Sequence, residues 1–134
     1  MYSSEASCSS QTADEIAAPH NLKVKILGEL KEINLGYWQG LLLKDIKKRY
    51  GKQYDVWMNS PVSAHPPGGE SVHDAYDRAV TAVQKLVDQH KNETICVVTD
   101  GIMLSMIRCH IKNMNLETIW KKVPEKAWWD SVEL

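Results

Sequence analysis

The sequence lacks the features that direct a protein to a membrane, a nucleic acid or the secretory route. No apolar run approaches the roughly 20 residues that a membrane-spanning helix needs. The N-terminal MYSSEASCSS has neither the basic start nor the hydrophobic stretch of a secretory signal. The formal net charge of −1 creates no strong field toward nucleic acid or an anionic membrane. We therefore expect a cytoplasmic protein that binds neither.

Cysteine and histidine are too few and too scattered to build a disulfide framework or a metal site. Cys8, Cys96 and Cys109 are an odd number without CxxC spacing, which favours a reducing compartment. The five histidines show no metal-ligand pattern. We expect no metal and no other cofactor.

What the sequence does contain is enough apolar material for one compact domain. The chain has 134 residues, of which 43% are hydrophobic and 25% charged, and this favours a single domain over residues 1–134. Period-two alternation predicts a strand over 22–27, and a continuous apolar run predicts a strand buried on both faces over 93–99. A further strand is predicted over 128–134.

Helical patterns separate these strands, and Ser71 with Asp74 resembles a capping box at the start of the longest helix. Prolines and glycines predict a loop over 60–69, and the irregular stretch 30–40 is a second one. The alternation of strands and helices predicts an α/β fold, a three-layer α/β/α sandwich with a mostly parallel sheet. The predicted helices cover residues 10–19, 41–50, 53–59, 71–90, 101–111 and 116–123.

Three tryptophans, Trp120, Trp128 and Trp129, crowd the end of the sequence. We expect one or two of them in the core. An exposed remainder would suit an interface, because tryptophan is enriched at binding hot spots.

Four segments occur in a fixed order along nearly the whole chain: YSSEASCSSQTA (2–13), LKEINLGYWQG (30–40), HPPGGES (65–71) and VVTDG (97–101). In sequence and spacing they resemble the histidine phosphatase superfamily, which includes the cofactor-dependent phosphoglycerate mutases. The resemblance implies a phosphoglycerate mutase-like sandwich. The family's first strand, which carries an RHG motif, is missing from this sequence, and so is its nucleophilic histidine.

The family's chemistry needs an imidazole that attacks phosphorus, arginines and a second histidine that hold the phosphoryl oxygens, and a carboxylic acid that protonates the leaving oxygen. By resemblance, Glu32 stands at the position of the acid, while Cys8 replaces a phosphate-binding arginine and Asp100 replaces the second histidine. Ser4, Glu70 and Gly101 belong to the retained substrate-binding segments.

These substitutions predict that the charge of the phosphate pocket has changed from positive to negative. We expect a degenerate, catalytically silent member of the family with a binding or assembly role. The alternative is a phosphomonoesterase or phosphoglycerate mutase-type enzyme whose missing strand is supplied by another chain or lost from the sequence. Whether Met1 is the true start stays open.

The carboxyl groups allow other interpretations. Glu32 and Asp100 together could share a proton, with one pKa raised. With Asp74 or Glu70 they could instead bind a divalent cation for metal-assisted hydrolysis. The structural alternative is that Glu32 accepts hydrogen bonds from loop amides and Glu70 lies near the helix start at Ser71.

A cysteine nucleophile is a further possibility, since Cys8 lies near a helix start, but no histidine adjoins it. The family's first strand lies beside the strand containing VVTDG, so its absence leaves backbone groups without partners. We therefore expect a homo-oligomer or a partner chain that covers this vacant position, with a phosphorylated small molecule as a candidate ligand.

Overall fold

The computed structural model describes residues 1–133, and its centre is a small parallel sheet. The three strands are β1 (Tyr2–Ser3), β2 (Lys25–Ile26) and β3 (Val97–Val98), in the order β2-β1-β3. Tyr2 lies opposite Lys25 on one side and opposite Val97 on the other. The α/β class with a parallel sheet is therefore confirmed.

The strands are shorter and more exposed than the sequence suggests. The strand expected over 22–27 is reduced to Lys25–Ile26, whose side chains are exposed at the outer edge of the sheet. The strand expected over 93–99 is reduced to Val97–Val98, and it is half-buried rather than buried on both faces. The reason is that β3 pairs with β1 on one side only.

The end of the chain also differs from expectation. Residues 128–133 form no strand, and residue 134 lies outside the described residues. The helix expected over 116–123 is a 3-10 turn, Leu116–Lys121. Periodicity of three to four residues does not distinguish these two helical forms in so short a segment.

The longer helices agree better with the sequence pattern. They are α1 (Ser7–Ala17), α2 (Leu43–Asn59), α3 (Val72–Gln89) and α4 (Gly101–Ile111). The two helices expected over 41–50 and 53–59 are one helix, α2, with a kink at Tyr50. No helix within residues 1–133 has both the length and the apolar character needed to span a membrane.

The predicted capping interaction at the start of α3 is confirmed. The Ser71 hydroxyl accepts a hydrogen bond from the Asp74 amide at 3.0 Å and donates one to the Asp74 carboxylate at 2.6 Å. This cap satisfies one of the free amides of the first helical turn and fixes where α3 begins.

The main core lies between α3, α4 and the segment that follows β2. The small residues Ala75, Ala79 and Ala82 of α3 allow close approach of Met103 and Met106 of α4. A second cluster surrounds Trp38, Ile46 and Trp57, against which Trp120 packs at a ring separation of 4.3 Å. Trp128 and Trp129 are 43% and 80% exposed. One of the three terminal tryptophans is thus part of the core.

Candidate functional site

The candidate site lies at the carboxyl edge of the sheet, where parallel α/β sheets usually bind their ligands. Because the strands are parallel, the segments that follow β1, β2 and β3 all emerge at this edge. The hydroxyl of Thr99, just after β3, donates to the Leu30 carbonyl at 2.9 Å. This bond ties the segment carrying Glu32 to the segment carrying Asp100.

Asp100 acts as the N-cap of α4. One of its carboxylate oxygens accepts hydrogen bonds from the amides of Ile102 and Met103 at 3.0 and 3.1 Å. An aspartate is among the best residues for this position, and its negative charge is favoured by the helix dipole. The capping role is one that the sequence analysis missed, although an Asp directly before an apolar helix is a recognised signal for it.

Glu32 lies within electrostatic range of Asp100, and within residues 1–133 no cation contributes to the pKa of Glu32. Partial burial of the carboxyl raises the pKa of Glu32, and the negative charge of Asp100 raises it further. The Glu32 carboxylate accepts no hydrogen bond from any residue within 1–133, so the loop amides expected as its partners are not engaged. The structure thus brings together the two acidic groups that the sequence analysis paired.

Glu70 has the opposite environment, because it is paired with Arg78 of α3. The guanidinium donates from Nε and Nη2 to the two carboxylate oxygens at 2.6 and 2.9 Å. Burial alone would raise the pKa of Glu70, but the hydrogen bonds from Arg78 and the Asn34 amide outweigh it and hold this pKa below its usual range. Both side chains are more than four-fifths buried, with exposures of 17% and 15%.

Arg78 is also the residue that positions the segment bearing Glu32. Its Nη1 donates to the carbonyls of Glu29 and Lys31 at 2.5 and 2.8 Å, and its Nη2 donates to the Glu32 carbonyl at 3.3 Å. The sequence analysis did not single out Arg78. The available signal was a long cationic side chain on the alanine-rich face of an otherwise apolar helix stripe, where a charge needs a partner.

Two glycines, Gly36 and Gly69, let the loop 30–40 dock on the loop 60–69, since a side chain at Gly69 would overlap the Asn34 carbonyl. Gly36 has a positive φ of 53°, and a side chain there would overlap the Pro67 carbonyl. The docked loops exchange backbone hydrogen bonds, from Tyr37 to Pro67 at 3.0 Å and from Glu70 to Asn34 at 2.8 Å. This contact fixes Glu70 and Glu32 on the same framework.

Ser4 and Cys8, the two remaining candidates from the first segment, differ in burial. Ser4 is fully buried, and its hydroxyl oxygen has no hydrogen-bond partner within residues 1–133. Cys8 lies exposed in the first turn of α1, whose N-cap residue, Ala6, supplies no side-chain cap. Gly101, the first residue of α4, packs against Val123 and Pro124, which a Cβ would contact at 3.4 Å.

Within the described part of the chain no imidazole contributes to the pKa of Glu32, and three of the five histidines bond to other groups. His65 bonds to the Pro66 carbonyl, His90 to Tyr2 and Glu93, and His110 to Tyr76. Within residues 1–133 no three His, Cys, Asp or Glu side chains converge in a way that would hold a metal ion. The cation site considered for Glu32 and Asp100 therefore gains no support from the geometry.

Comparison with known proteins identifies the family. The sequence profile of the histidine phosphatase superfamily (branch 1) matches residues 1–133. Phosphoserine phosphatase 1 of Hydrogenobacter thermophilus is 28% identical over 120 residues, which cover 90% of this chain and 57% of that protein. Phosphoglycerate mutase-like protein 4 of Arabidopsis thaliana is 38% identical over 103 residues, which cover 75% of this chain and 45% of that protein.

The solved structures agree with the sequences. YhfR of Bacillus stearothermophilus superimposes with a TM-score of 0.83 and 29% identity, over 89% of this chain and 59% of that one. The chain belongs to the histidine phosphatase superfamily, and it has the phosphoglycerate mutase-like fold that the four segments predicted. It spans about half the length of the curated relatives it matches.

Proposed function

We propose that this chain is a catalytically silent member of the histidine phosphatase superfamily that serves as a binding or assembly protein. The observation that carries the proposal is the acidic pair at the carboxyl edge. Asp100 is held in place as the cap of α4, and its charge acts on the carboxyl group of Glu32. Both groups repel the kind of ligand that the family's chemistry requires.

The interaction energies favour an inactive protein over one that turns over a phosphate ester. A phosphate monoester carries nearly two negative charges at neutral pH, and an ionised carboxylate cannot donate a hydrogen bond to it. Two like charges about 4 Å apart repel by about 4 kcal/mol at an effective dielectric constant near 20. A charge-assisted hydrogen bond stabilises by only about 1.5–3 kcal/mol, which is less than this repulsion.

Cys8 adds a second reason within the chain. The family resemblance sets an arginine at this position, and an exposed thiol at the start of α1 supplies no fixed positive fork for phosphoryl oxygens. A ligand of the ancestral site would have been a phosphomonoester, in keeping with the names of the phosphoserine phosphatase and mutase-like relatives. The acidic pair should therefore weaken the binding of phosphomonoesters to this chain.

A hydrolysis assay tests the proposal. The full chain is incubated with p-nitrophenyl phosphate between pH 4 and pH 8, alongside Glu32→Gln and the matched control Glu29→Gln, an exposed acid on the same segment. We expect no release of nitrophenol above the buffer rate in any of the three. Turnover that is lost in Glu32→Gln and kept in Glu29→Gln would overturn catalytic silence.

A second candidate is a phosphoryl-transfer enzyme that another chain completes. The likeness to a phosphoserine phosphatase and a phosphoglycerate mutase-like protein, of which this chain spans about half, supports it. An activity that depends on a second copy would rise faster than linearly with protein concentration and disappear on dilution. A rate proportional to concentration over a hundredfold range would exclude a second copy as the completing chain.

A further inference from the structure

The outward face of α2 carries the largest group of neighbouring cations in the sequence. They lie between residues 44 and 52, and all of them are exposed. The helix also contains two acids, Asp45 in its first turn and Asp55 nearer its end, so its cations outnumber its acids by five to two. The five cations are Lys44, Lys47, Lys48, Arg49 and Lys52.

These cations have no counter-charge in the described chain. Within residues 1–133 none of their side chains forms an ion pair, whereas the buried Arg78 is paired with Glu70. Lys44, Lys48 and Lys52 follow one another at four-residue spacing, at which like charges on a helix repel each other. An acidic partner would relieve this repulsion.

Apolar side chains are exposed at both ends of the same helix. Leu42 and Leu43 at its start are 62% and 50% exposed, and Val56 and Met58 near its end are 46% and 39% exposed. At 1.5 Å per residue, the start and the end of this surface are about 22 Å apart. Exposed apolar groups beside charged ones are typical of a surface that contacts another molecule.

The inner face of α2 is buried, but not against the sheet. Ile46 and Trp57 of the helix pack with Trp38, and Trp120 packs against the same cluster. None of these residues belongs to a strand. The outward face is therefore separate from the edge of β3, where the family's first strand is expected. It is also separate from the acidic pair, because no cation of α2 contributes to the pKa of Glu32.

The burial of the inner face decides which kind of anionic partner fits. A helix that binds a membrane surface inserts its apolar side into the bilayer, and this side of α2 is already engaged in the core. Nucleic acids present a more polar surface than proteins do, which leaves the apolar ends of α2 without a complement. A protein segment that has acidic side chains between apolar ones matches both features of the face.

We propose that the outward face of α2 binds an acidic helix of a partner protein, with carboxylates on the central lysines and apolar side chains on the exposed residues at the two ends. A partner helix repeats the four-residue spacing of the lysines, so its carboxylates can face them along the whole length. Opposite charges speed the association and align the two surfaces. The inference goes beyond the proposed function, since it holds whether or not the chain is catalytically silent.

The test measures the binding of a fluorescein-labelled helical peptide to the full chain by fluorescence anisotropy. The peptide has about 16 residues, close to the length of α2, with leucines at both ends and glutamates at four-residue spacing among alanines between them. We expect it to bind at least about tenfold more tightly than a second peptide in which every glutamate is replaced by glutamine. Raising the salt from about 50 to about 500 mM should remove most of this difference.

Variants of the chain test whether the peptide binds to α2. Lys48→Gln should weaken the glutamate peptide by about threefold, and the triple variant Lys44→Gln, Lys48→Gln, Lys52→Gln by about tenfold. The matched control Lys85→Gln, which removes an exposed lysine of α3, should leave the affinity unchanged. Leu43→Ser should weaken the peptide by about fivefold at low and at high salt, because salt does not screen an apolar contact.

Each outcome supports or overturns the proposal. Equal binding of the two peptides, or equal affinities of the triple variant and Lys85→Gln, would overturn it. Phosphatidylserine vesicles or double-stranded DNA that bind more tightly than the peptide, and that depend on Lys48 in the same way, would replace the partner protein by a membrane or a nucleic acid. A dimer of the unaltered chain that the triple variant dissociates would identify a second copy as the occupant. None of these measurements involves hydrolysis, so their failure is distinct from any failure of catalytic silence.

Discussion

Glu70 and Glu32 belong to docked loops at one edge of the sheet, and the charged groups beside them have opposite signs. Glu70 faces the Arg78 guanidinium at 2.6 Å, and its pKa is lowered. Glu32 faces Asp100, and its pKa is raised by burial and by that carboxylate. Arg78 touches both loops, but it gives its side-chain ion pair to Glu70 and reaches Glu32 only through the backbone carbonyl.

The comparison teaches that one carboxyl group at this edge has a cationic partner while the other has an acidic neighbour. The pair of Glu70 and Arg78 holds the loops in position, as a scaffold for catalysis would need. The pair of Glu32 and Asp100 has no positive member to complete it. This difference between the two pairs is what the proposed binding role rests on.

The largest effect should come from breaking the paired side. Replacing Arg78 by Met leaves Glu70 mostly buried without a cation and frees the carbonyls of Glu29 and Lys31. We expect the free energy of unfolding to fall by about 3 kcal/mol, measured by urea denaturation.

The matched control for Arg78 is Arg49→Met, an exposed arginine on α2, which should change stability by less than about 0.5 kcal/mol. Adding Glu70→Gln to Arg78→Met should recover part of the loss, because the uncompensated charge is then removed. Equal losses in the Arg78 and Arg49 variants would show that the ion pair does not hold the loops.

A smaller effect is expected at Asp100, where the cap and the charge can be separated. Asp100→Ala removes both and should cost about 1 kcal/mol in the free energy of unfolding. Asp100→Asn keeps an N-cap of similar strength while removing the charge. Thermal unfolding should therefore separate Ala from Asn, whereas an NMR titration of the Glu32 carboxyl should show its pKa lowered in both. Equal stabilities of the two variants would refute the capping role.

Much of the fold could be predicted because its longest elements carry strong local signals. The helix over 71–90 has a cap, a stripe of small apolar residues and a glycine-rich loop before it, and α3 spans Val72–Gln89. The helix over 101–111 coincides with α4. The strands were overestimated, because an apolar pattern reports only a potential to pair, and the strand over 93–99 was expected to be buried on both faces although β3 has a neighbour on one side only.

The candidate site was predicted in part. The resemblance singled out Glu32 and Asp100, and the structure brings their charges together. The resemblance gave no signal for Arg78 as the residue that holds both loops. The contacts of Arg78 join residues that are 46 to 49 positions apart in sequence. Side-chain contacts across such separations depend on how the loops dock, which local pattern does not encode.

The smallest expected effect, and the sharpest test of the comparison, is the pH dependence of stability in Glu32→Gln and Glu70→Gln. The pKa of Glu32 is raised above 4.5, so its contribution is complete below that pH and is lost as pH rises through the folded value. The pKa of Glu70 is lowered from 4.5, so its contribution is present above that pH and is lost as pH falls through the folded value. At pH 7, Glu32→Gln should thus be slightly more stable than the unaltered chain, by less than about 1 kcal/mol, and Glu70→Gln should be less stable. Urea midpoints recorded from pH 3 to pH 8 should therefore show the stabilities of the two variants diverging as pH rises. Parallel profiles would mean that the two pKa values are not shifted in opposite directions.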